Sequence, residues 1–419
     1  MALSAATKDF ARRLFDTVRE MSADVRGVTR QGYGPVETKV LEFLKDEGRK
    51  LGLEIETDAA GNVWMTMKGR DSTRPAFVAG SHVDSVPQGG NFDGLAGVVA
   101  ALVAAKHMHD EGVVPAVDYR VLMMRCEESS FFGKAYVGSL GMLGRLKASD
   151  LALRHRTEAG TLADAIRSTG VDPERLTTGE PVVEVKKIGA FVELHIEQGP
   201  TLTSRESPRV GVVTGIRGNI RHKNVVCLGE TAHSGAVNKE YRHDAVMAAA
   251  HLFAEMDAAW DEFLAAGKDL VFTVGVLKTG ETAAISVIPG EVRFTIDMRS
   301  LKKETLDEFH VRLEAEAKKL EAARGVRFVF DDALYTAPAV LSDDVSERLH
   351  AAAREAGIPV MPIASGAGHD SAVFANAGIP AAMIFIANQH GSHNPDEAME
   401  LDDFMTGAAL LTETVLRYA

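Results

Sequence analysis

Residues 75–129 constrain the fold more tightly than any other stretch. PAFVAGSH (75–82) is a short apolar run ending in Gly-Ser-His, and it opens into the glycine-rich loop GSHVDSVPQGGNFDG (80–94). GLAGVVAALVAAKHMHDEG (94–112) then reads as an apolar, alanine-rich helix, and DYRVLMMRCEES (118–129) as a second strand ending in carboxylates. Apolar strands of this kind are buried on both faces. Strand, loop, helix and strand at this spacing predict a parallel sheet with crossover helices. Functional groups in such sheets gather at the carboxyl ends of strands, which is where His82 and the Glu127–Glu128 pair fall.

The flanking segments fit around that unit. Residues 1–58 read as helices followed by a short strand, with VLEFLKDEGRKLGL (40–53) at helical spacing, and GNVWMTMKG (61–69) is β-rich. Near residue 210 the pattern changes. A strand-like stretch (209–230), a long helix (241–267), two strands (268–277 and 284–300), a second helix (304–325) and a last strand (326–332) follow in turn. That βαββαβ order predicts a small open-faced α+β, ferredoxin-like unit inserted into the first domain. The expected division is a discontinuous domain of 1–209 and 328–419, interrupted by a lid-like domain at 210–327. Beyond about 328 the α/β pattern resumes with a helix near 343–357, a strand in IPAAMIFIAN and a C-terminal helix.

Composition excludes some classes. A formal net charge of -13 argues against a nucleic-acid binder, which usually shows a basic excess. The absence of any run of about 18 apolar residues argues against a transmembrane helix. Two cysteines, Cys126 and Cys227, are too few for a disulfide scaffold. They suit a reducing compartment. The N-terminal segment is amphipathic without a signal peptide's apolar core, so the expected location is the cytoplasm.

Five segments carry the chemistry: GSHVDSVPQGGNFDG (80–94), CEESSFFG (126–133), ELHIEQGP (193–200), SGAGHDSA (365–372) and GSHNPDEA (391–398). Each sets His, Asp or Glu beside glycine. Imidazole nitrogen and carboxylate oxygen are the ligands of zinc and similar ions. His82, Asp93, Glu127, Glu128, His195 and His393 could supply two metals, with a carboxylate bridging them. Each piece alone is weak. A lone loop histidine is more often a hydrogen-bonded structural residue, and adjacent glutamates are usually a solvated pair. GGNFDG lacks the lysine and hydroxyl of a phosphate-binding P-loop. Calcium, which prefers oxygen ligands, is disfavoured by the histidines.

Taken together, H-x-D, GG-x-FDG, EE, LHIEQGP and SHxPxE resemble the M20 metallopeptidase superfamily. The resemblance is to its amidase branch of N-carbamoyl-L-amino acid hydrolases, allantoate amidohydrolases and β-ureidopropionases, and it spans essentially the whole chain. It implies a zinc-peptidase-like catalytic domain with a mixed, mostly parallel sheet flanked by helices, plus the inserted lid and dimerisation domain. It implies His82 and His195 on one metal, Glu128 and His393 on the other, and Asp93 bridging. Asp84 would orient His82, and Glu127 would stay off the metals as general base for a metal-activated water. His233, in GETAHSG, would reach the partner subunit's site in a homodimer formed through the inserted domain and stabilise the oxyanion. Gln198, Arg299, Ser365 and Gly366 match substrate-contacting positions; for His369 and Asp370 a structural role is at least as good a reading. Zinc, manganese, cobalt or nickel would all suit two such sites.

The chain also departs from the pattern. AISVIPG sets Ser286 about where the branch has a carboxylate-binding asparagine, and HSGAVNK replaces HAGTTPM, with Arg242 and Asp244 still at the family spacing. Arg217, in TGIRGN, is outside the usual motif and is expected to hold an anionic group in place of that asparagine. The resulting expectation is a hydrolase of a non-peptide C–N bond in a small carboxylate-bearing substrate, by default an N-carbamoyl or N-acyl L-amino acid. Ureido acids of the allantoate or ureidoglycolate type are an alternative, as is hydrolytic deamination of an aromatic amino-acid-like compound. A non-catalytic dimeric binding protein is a further class, disfavoured because every candidate ligand and Glu127 is present.

Overall fold

The computed structural model describes residues 3–418 and divides into two compact units, 1–214 with 340–419, and 215–339. The large unit is built on an eight-stranded sheet. Its strands are β1 (Glu54–Thr57), β2 (Val63–Met67), β3 (Ala76–His82), β4 (Tyr119–Met124), β5 (Ile188–Ile196), β6 (Val210–Ile216), β14 (Val360–Ser365) and β15 (Ala381–Ile386). Their order is β1-β2-β4-β3-β5-β15-β6-β14. The central strands β4, β3, β5 and β15 run parallel. The β1–β2, β2–β4 and β15–β6 pairs are antiparallel. The sheet is mixed, as expected, with its parallel pairs at the centre, where β3 and β15 are buried at every position and β4 and β5 at all but one each.

Helices of this unit are α1 (Ala5–Met21), α2 (Pro35–Lys50), α3 (Leu95–Asp110), the short α4 (Val137–Met142) and α5 (Leu162–Ser168), α8 (Asp343–Ala356), α9 (Asp370–Asn376) and α10 (Leu401–Arg417). α1, α2 and α8 are amphipathic and bury one stripe each, as at Phe10, Leu14 and Val18 of α1. α3 is apolar all round and correspondingly buried, between β3, β4 and β5 on one side and α1 and α10 on the other. Gly97 makes this seating close, because a Cβ there would collide with the carbonyl oxygen of Leu194.

The small unit contains β7 (Gly218–Leu228), β8 (Ala232–His233), α6 (Ala245–Ala265), β9 (Val271–Thr279), β10 (Val287–Ile288), β11 (Glu291–Ser300), α7 (Lys303–Arg324), β12 (Arg327–Val329) and β13 (Leu334–Thr336). The sheet order β12-β7-β11-β9, antiparallel throughout, is the ferredoxin-like arrangement of a βαββαβ unit. α6 and α7 pack together and against this sheet over a core of Leu252, Phe294, Phe309 and Leu313. β8 and β10 form a separate two-stranded ladder.

Two sequence boundaries shift. The stretch 209–230 is two strands, and the first of them, β6, pairs with β15 of the large sheet, so the unit boundary falls at 214/215 and not at 209/210. At the other end, β12 and β13 both pair with β7, which carries the small unit to Ala339, past the expected 327. Among the described residues, no helix is long and apolar enough to cross a membrane.

Candidate metal centre

The parallel block delivers its functional groups to one edge. His82 ends β3 opposite Met124, the last residue of the parallel strand β4, so the loops that follow both strands leave together. His195 stands three residues beyond the Ala79–Val192 pair on β5, as His82 does on β3, so the two imidazoles are level. From this edge spring the glycine loop with Asp84 and Asp93, the Glu127–Glu128 loop, and the turn after Ile196 with Gln198. The segment after β15 adds His393.

Asp93 is the hub. Its Oδ1 lies 3.4 Å from His82 Nε2 and 3.2 Å from His195 Nε2. Its Oδ2 lies 3.4 Å from His393 Nε2, which is 3.2 Å from Glu128 Oε1. His82, Asp93 and His195 thus form one group able to hold an ion, and Asp93, Glu128 and His393 another. Ligands at about 2.0–2.2 Å from a tetrahedral ion are about 3.3–3.6 Å apart, close to the spacing of these contacts.

The ring orientations fit the same use. His82 Nδ1 faces the backbone oxygen of Asp84 at 3.1 Å and its Oδ1 at 3.4 Å, and His195 Nδ1 faces the carbonyl of Ile196 at 2.9 Å. Acceptors beside Nδ1 keep the hydrogen there and leave the Nε2 lone pairs turned to Asp93. The backbone N–H of Gly94 points at His195 Nε2 at 3.2 Å, a contact that needs a lone pair on that nitrogen. The donor set and its tautomers therefore fit two divalent cations.

Asp84 also accepts the backbone N–H groups of Glu127 at 2.9 Å and Glu128 at 3.0 Å, which ties the glutamate loop to the histidine loop. Burial pushes the Glu127 carboxyl well above its ordinary range against the pull of His82, and burial raises Glu128 too. Burial opposes a low pKa for Asp93, but His195, His393 and His82 outweigh it and hold the carboxyl well below the usual value. Burial disfavours a charge on His82, and Asp84 and Asp93 override it to raise the imidazole well above its usual value. Cys126, Gln198 and His393 all carry positive φ, at 52°, 63° and 61°. Left-handed backbone at non-glycine residues is uncommon and clusters at functional sites.

Further residues complete the surroundings. Gln198 donates Nε2–H to Asp93 Oδ2 at 2.8 Å, while its buried Oε1 has no hydrogen-bond partner in the protein. Ser365 is buried, with its hydroxyl donating to the Ala367 carbonyl at 2.8 Å and lying 3.0 Å from His369 Nε2. Gly366 lies in the same loop, one residue after β14. The His369 ring meets His195 edge-on, with centroids 4.5 Å apart, and Asp370 accepts from Ser139 at 2.5 Å.

Three positions went unassigned in the sequence reading. Glu397 accepts the N–H groups of Phe92 at 2.8 Å and Asp93 at 3.3 Å, and Ser392 lies 2.5 Å from Asp93 Oδ2 and 2.6 Å from Glu397 Oε2. Both belong to the GSHNPDEA motif, which was the available signal. Arg30 is fully buried and donates to the Val83 carbonyl at 2.7 Å and to Asn91 at 2.9 Å, bracing the glycine loop between its ligands. A lone arginine in a short connection gives no periodic signal.

Within the small unit, His233 is exposed on β8, and its Nδ1 accepts the N–H of Gly235 at 3.1 Å, so the neutral ring carries its hydrogen on Nε2. Arg299 on β11 donates to Asp297 at 2.7 Å. Arg217 lies between β6 and β7. Its guanidinium grips Asp269 through Nε at 2.9 Å and 3.0 Å and through a terminal nitrogen at 2.5 Å, and Asp269 also accepts the N–H of Leu301. This cation is paired within its own unit, so holding a substrate anion would require that anion to take the place of Asp269.

A family model described as peptidase family M20/M25/M40 matches residues 78–417. Among curated proteins, the chain is 34% identical over 394 residues to an N-carbamoyl-L-amino acid amidohydrolase of Geobacillus stearothermophilus, covering 94% of each chain. It is 32% identical to an allantoate amidohydrolase of Bacillus subtilis, covering 94% of this chain and 93% of that one. Among solved structures it resembles a hydantoinase/carbamoylase family amidase from Burkholderia ambifaria, with a TM-score of 0.87 and 28% identity over 99% of this chain and 98% of the other.

Proposed function

The chain belongs to peptidase family M20/M25/M40 as an amidohydrolase of that family, and from this premise we propose that it hydrolyses the C–N bond of a small carboxylate-bearing ureido or carbamoyl compound. An N-carbamoyl-L-amino acid is the first candidate. The observation that carries the reading is the sharing of Asp93 by two ligand triads, with the buried carboxyl of Glu127 next to Glu128 in the same loop. Relatives matching over nearly the full length carry the same activity in their names.

Two divalent ions of the zinc, manganese, cobalt or nickel class would lower the pKa of water towards about 7 and polarise the scissile carbonyl. The chain's residues do the rest. Asp84 fixes the His82 ring and anchors the backbone of Glu127. Glu127, with its carboxyl raised by burial, takes a proton from the attacking water and returns it to the departing nitrogen. A C–O bond forms, the C–N bond breaks, and the proton follows the leaving nitrogen. Gln198, the backbone of Ser365 and Gly366, and Arg299 bind the substrate. Asp297 is a partner that Arg299 can exchange for a substrate carboxylate. The protein acts as a homodimer through the small unit, and His233 of the partner subunit donates its Nε2–H to the oxyanion.

A ureido acid is the second reading, favoured by the relative named as an allantoate amidohydrolase. An ammonia-release screen with Mn²⁺ and Zn²⁺ in parallel tests both. N-carbamoyl-L-amino acids should yield ammonia and a free amino acid. Turnover of allantoate alone would select the second reading. Silence on every carbamoyl and ureido compound would overturn the proposal.

A further inference from the structure

The loop that carries Glu127 and Glu128 is fixed by residues outside the two ion triads. Residues 125–129 follow β4 without regular structure, yet the first four of their backbone N–H groups all have side-chain acceptors. Asn62 Oδ1 accepts that of Arg125 and Glu37 Oε1 that of Cys126, both at 3.1 Å, beside the two that Asp84 accepts. The carbonyls of Arg125, Cys126 and Glu127 accept from the N–H groups of Gly138, Val137 and Tyr136 at 3.0, 2.9 and 2.8 Å. Cys126 is the pivot, with its φ of 52°. A residue bearing a side chain keeps left-handed backbone only where its surroundings over-determine it.

Glu37, on α2, is fully buried. Its Oε2 accepts Nε–H of Arg125 at 2.6 Å and the backbone N–H of Tyr33 at 2.8 Å, while Oε1 holds Cys126. Arg125 is buried as well, donates to Thr38 Oγ1 at 2.6 Å and lies over the Tyr33 ring, 4.9 Å from its centroid. Gly32 backs the turn, because a Cβ there would collide with Cys126. Desolvation offsets the attraction within a buried pair such as Glu37–Arg125, so apolar side chains of the same volume would serve stability equally. What the pair adds is direction, since three N–H groups converge on one carboxylate.

We propose that Glu37 is a positioning residue for the centre: by holding the Cys126 N–H it keeps the turn that places Glu127 as base and Glu128 as ion ligand. This rests on the roles proposed above for those two glutamates. Both carboxylates hang from one short stretch of backbone, so a turn that relaxes moves them together. Asp84 bonds to the backbone of Glu127 and Glu128 but not to that of Cys126, so the turn before them is left to Glu37, Asn62 and Gly32.

Equilibrium dialysis of the full-length, chelator-stripped protein against buffered free Zn²⁺, with steady-state kinetics on N-carbamoyl-L-amino acids alongside, tests the inference. Glu37→Gln is isosteric but offers one acceptor oxygen in place of two. Glu37→Leu combined with Arg125→Met removes the pair without leaving an unpaired charge, and serves if the single variant folds poorly. In either chain one of the two zinc equivalents should bind about tenfold more weakly while the other is unchanged, and kcat should fall about tenfold with KM within about twofold. In a His393→Ala chain, which lacks the ion on the Glu128 side, Glu37→Gln should leave the remaining zinc affinity unaltered. The zinc measurement needs no substrate, so failure of the proposed function and failure of this inference are read apart. Unchanged affinity for both equivalents, or equal weakening of both, would make Glu37 a structural residue alone and overturn the proposal.

Discussion

At Asp93 two carboxylate oxygens face three imidazoles, and every other feature of the centre serves to keep them there. Glu397 and Ser392 hold its backbone and side chain from one direction and Gln198 from another. Asp93→Asn should therefore empty both ion sites, whereas His393→Ala should empty one, as counted by metal analysis of purified protein. Glu127 separates from this group by function. It is not a member of either triad, so Glu127→Gln should retain the full metal content while kcat falls about 10²–10⁴-fold. A parallel loss of metal and activity would make Glu127 a ligand and not the base. Protons also compete for the centre. Hydrogen bonds to Asp93 and Glu128 hold the His393 imidazole well above its ordinary pKa, with burial opposing. A cation must displace that proton, so ion affinity should rise with pH through neutrality. Calorimetric titrations one pH unit either side of neutrality would read the change, and an affinity that fell with rising pH would contradict the assignment of His393.

Among the elements, the passage from the glycine loop into α3 matters most. Gly94 caps α3 at φ 67°, and a Cβ there would clash with the His82 ring, 2.4 Å from its Cε1 and Nε2. Gly94→Ala should displace that ring, lower the metal content and reduce Tm, measured on the same preparation. Unchanged metal binding would mean that the loop has more room than its backbone implies. The same elements explain what could be read from sequence. β3, α3 and β4 announce themselves because burial on all sides leaves them nearly free of polar residues. The motif residues of all five chemical segments in the large unit do converge, because each follows or ends a strand or opens a helix. The split of 209–230 into β6 and β7 was not legible, since apolar alternation runs through Arg217 and only pairing with β15 separates the two. The brace formed by Arg30 was equally hidden, because its partners Val83 and Asn91 lie more than fifty residues away. The pairing of Arg217 was hidden for a related reason. A cation near a motif looks available in sequence, and only the fold brings Asp269 to it.

The whole molecule comprises two units. The large unit gathers both ion triads, Asp84, Glu127 and Gln198, while the small unit holds His233 and Arg299. If His233 acts in the partner subunit, inactive Glu127→Gln and His233→Ala chains should regain activity when mixed and allowed to exchange. A mixture that stays inactive after exchange would return His233 to a local role. The central claim is that Asp93 bridges a pair of ions. Anomalous diffraction from crystals of the zinc-loaded protein, recorded at the zinc edge, tests it most directly. Two peaks about 3.5–4 Å apart are expected, one on each side of the Asp93 carboxylate. A single peak there, or none, would contradict it.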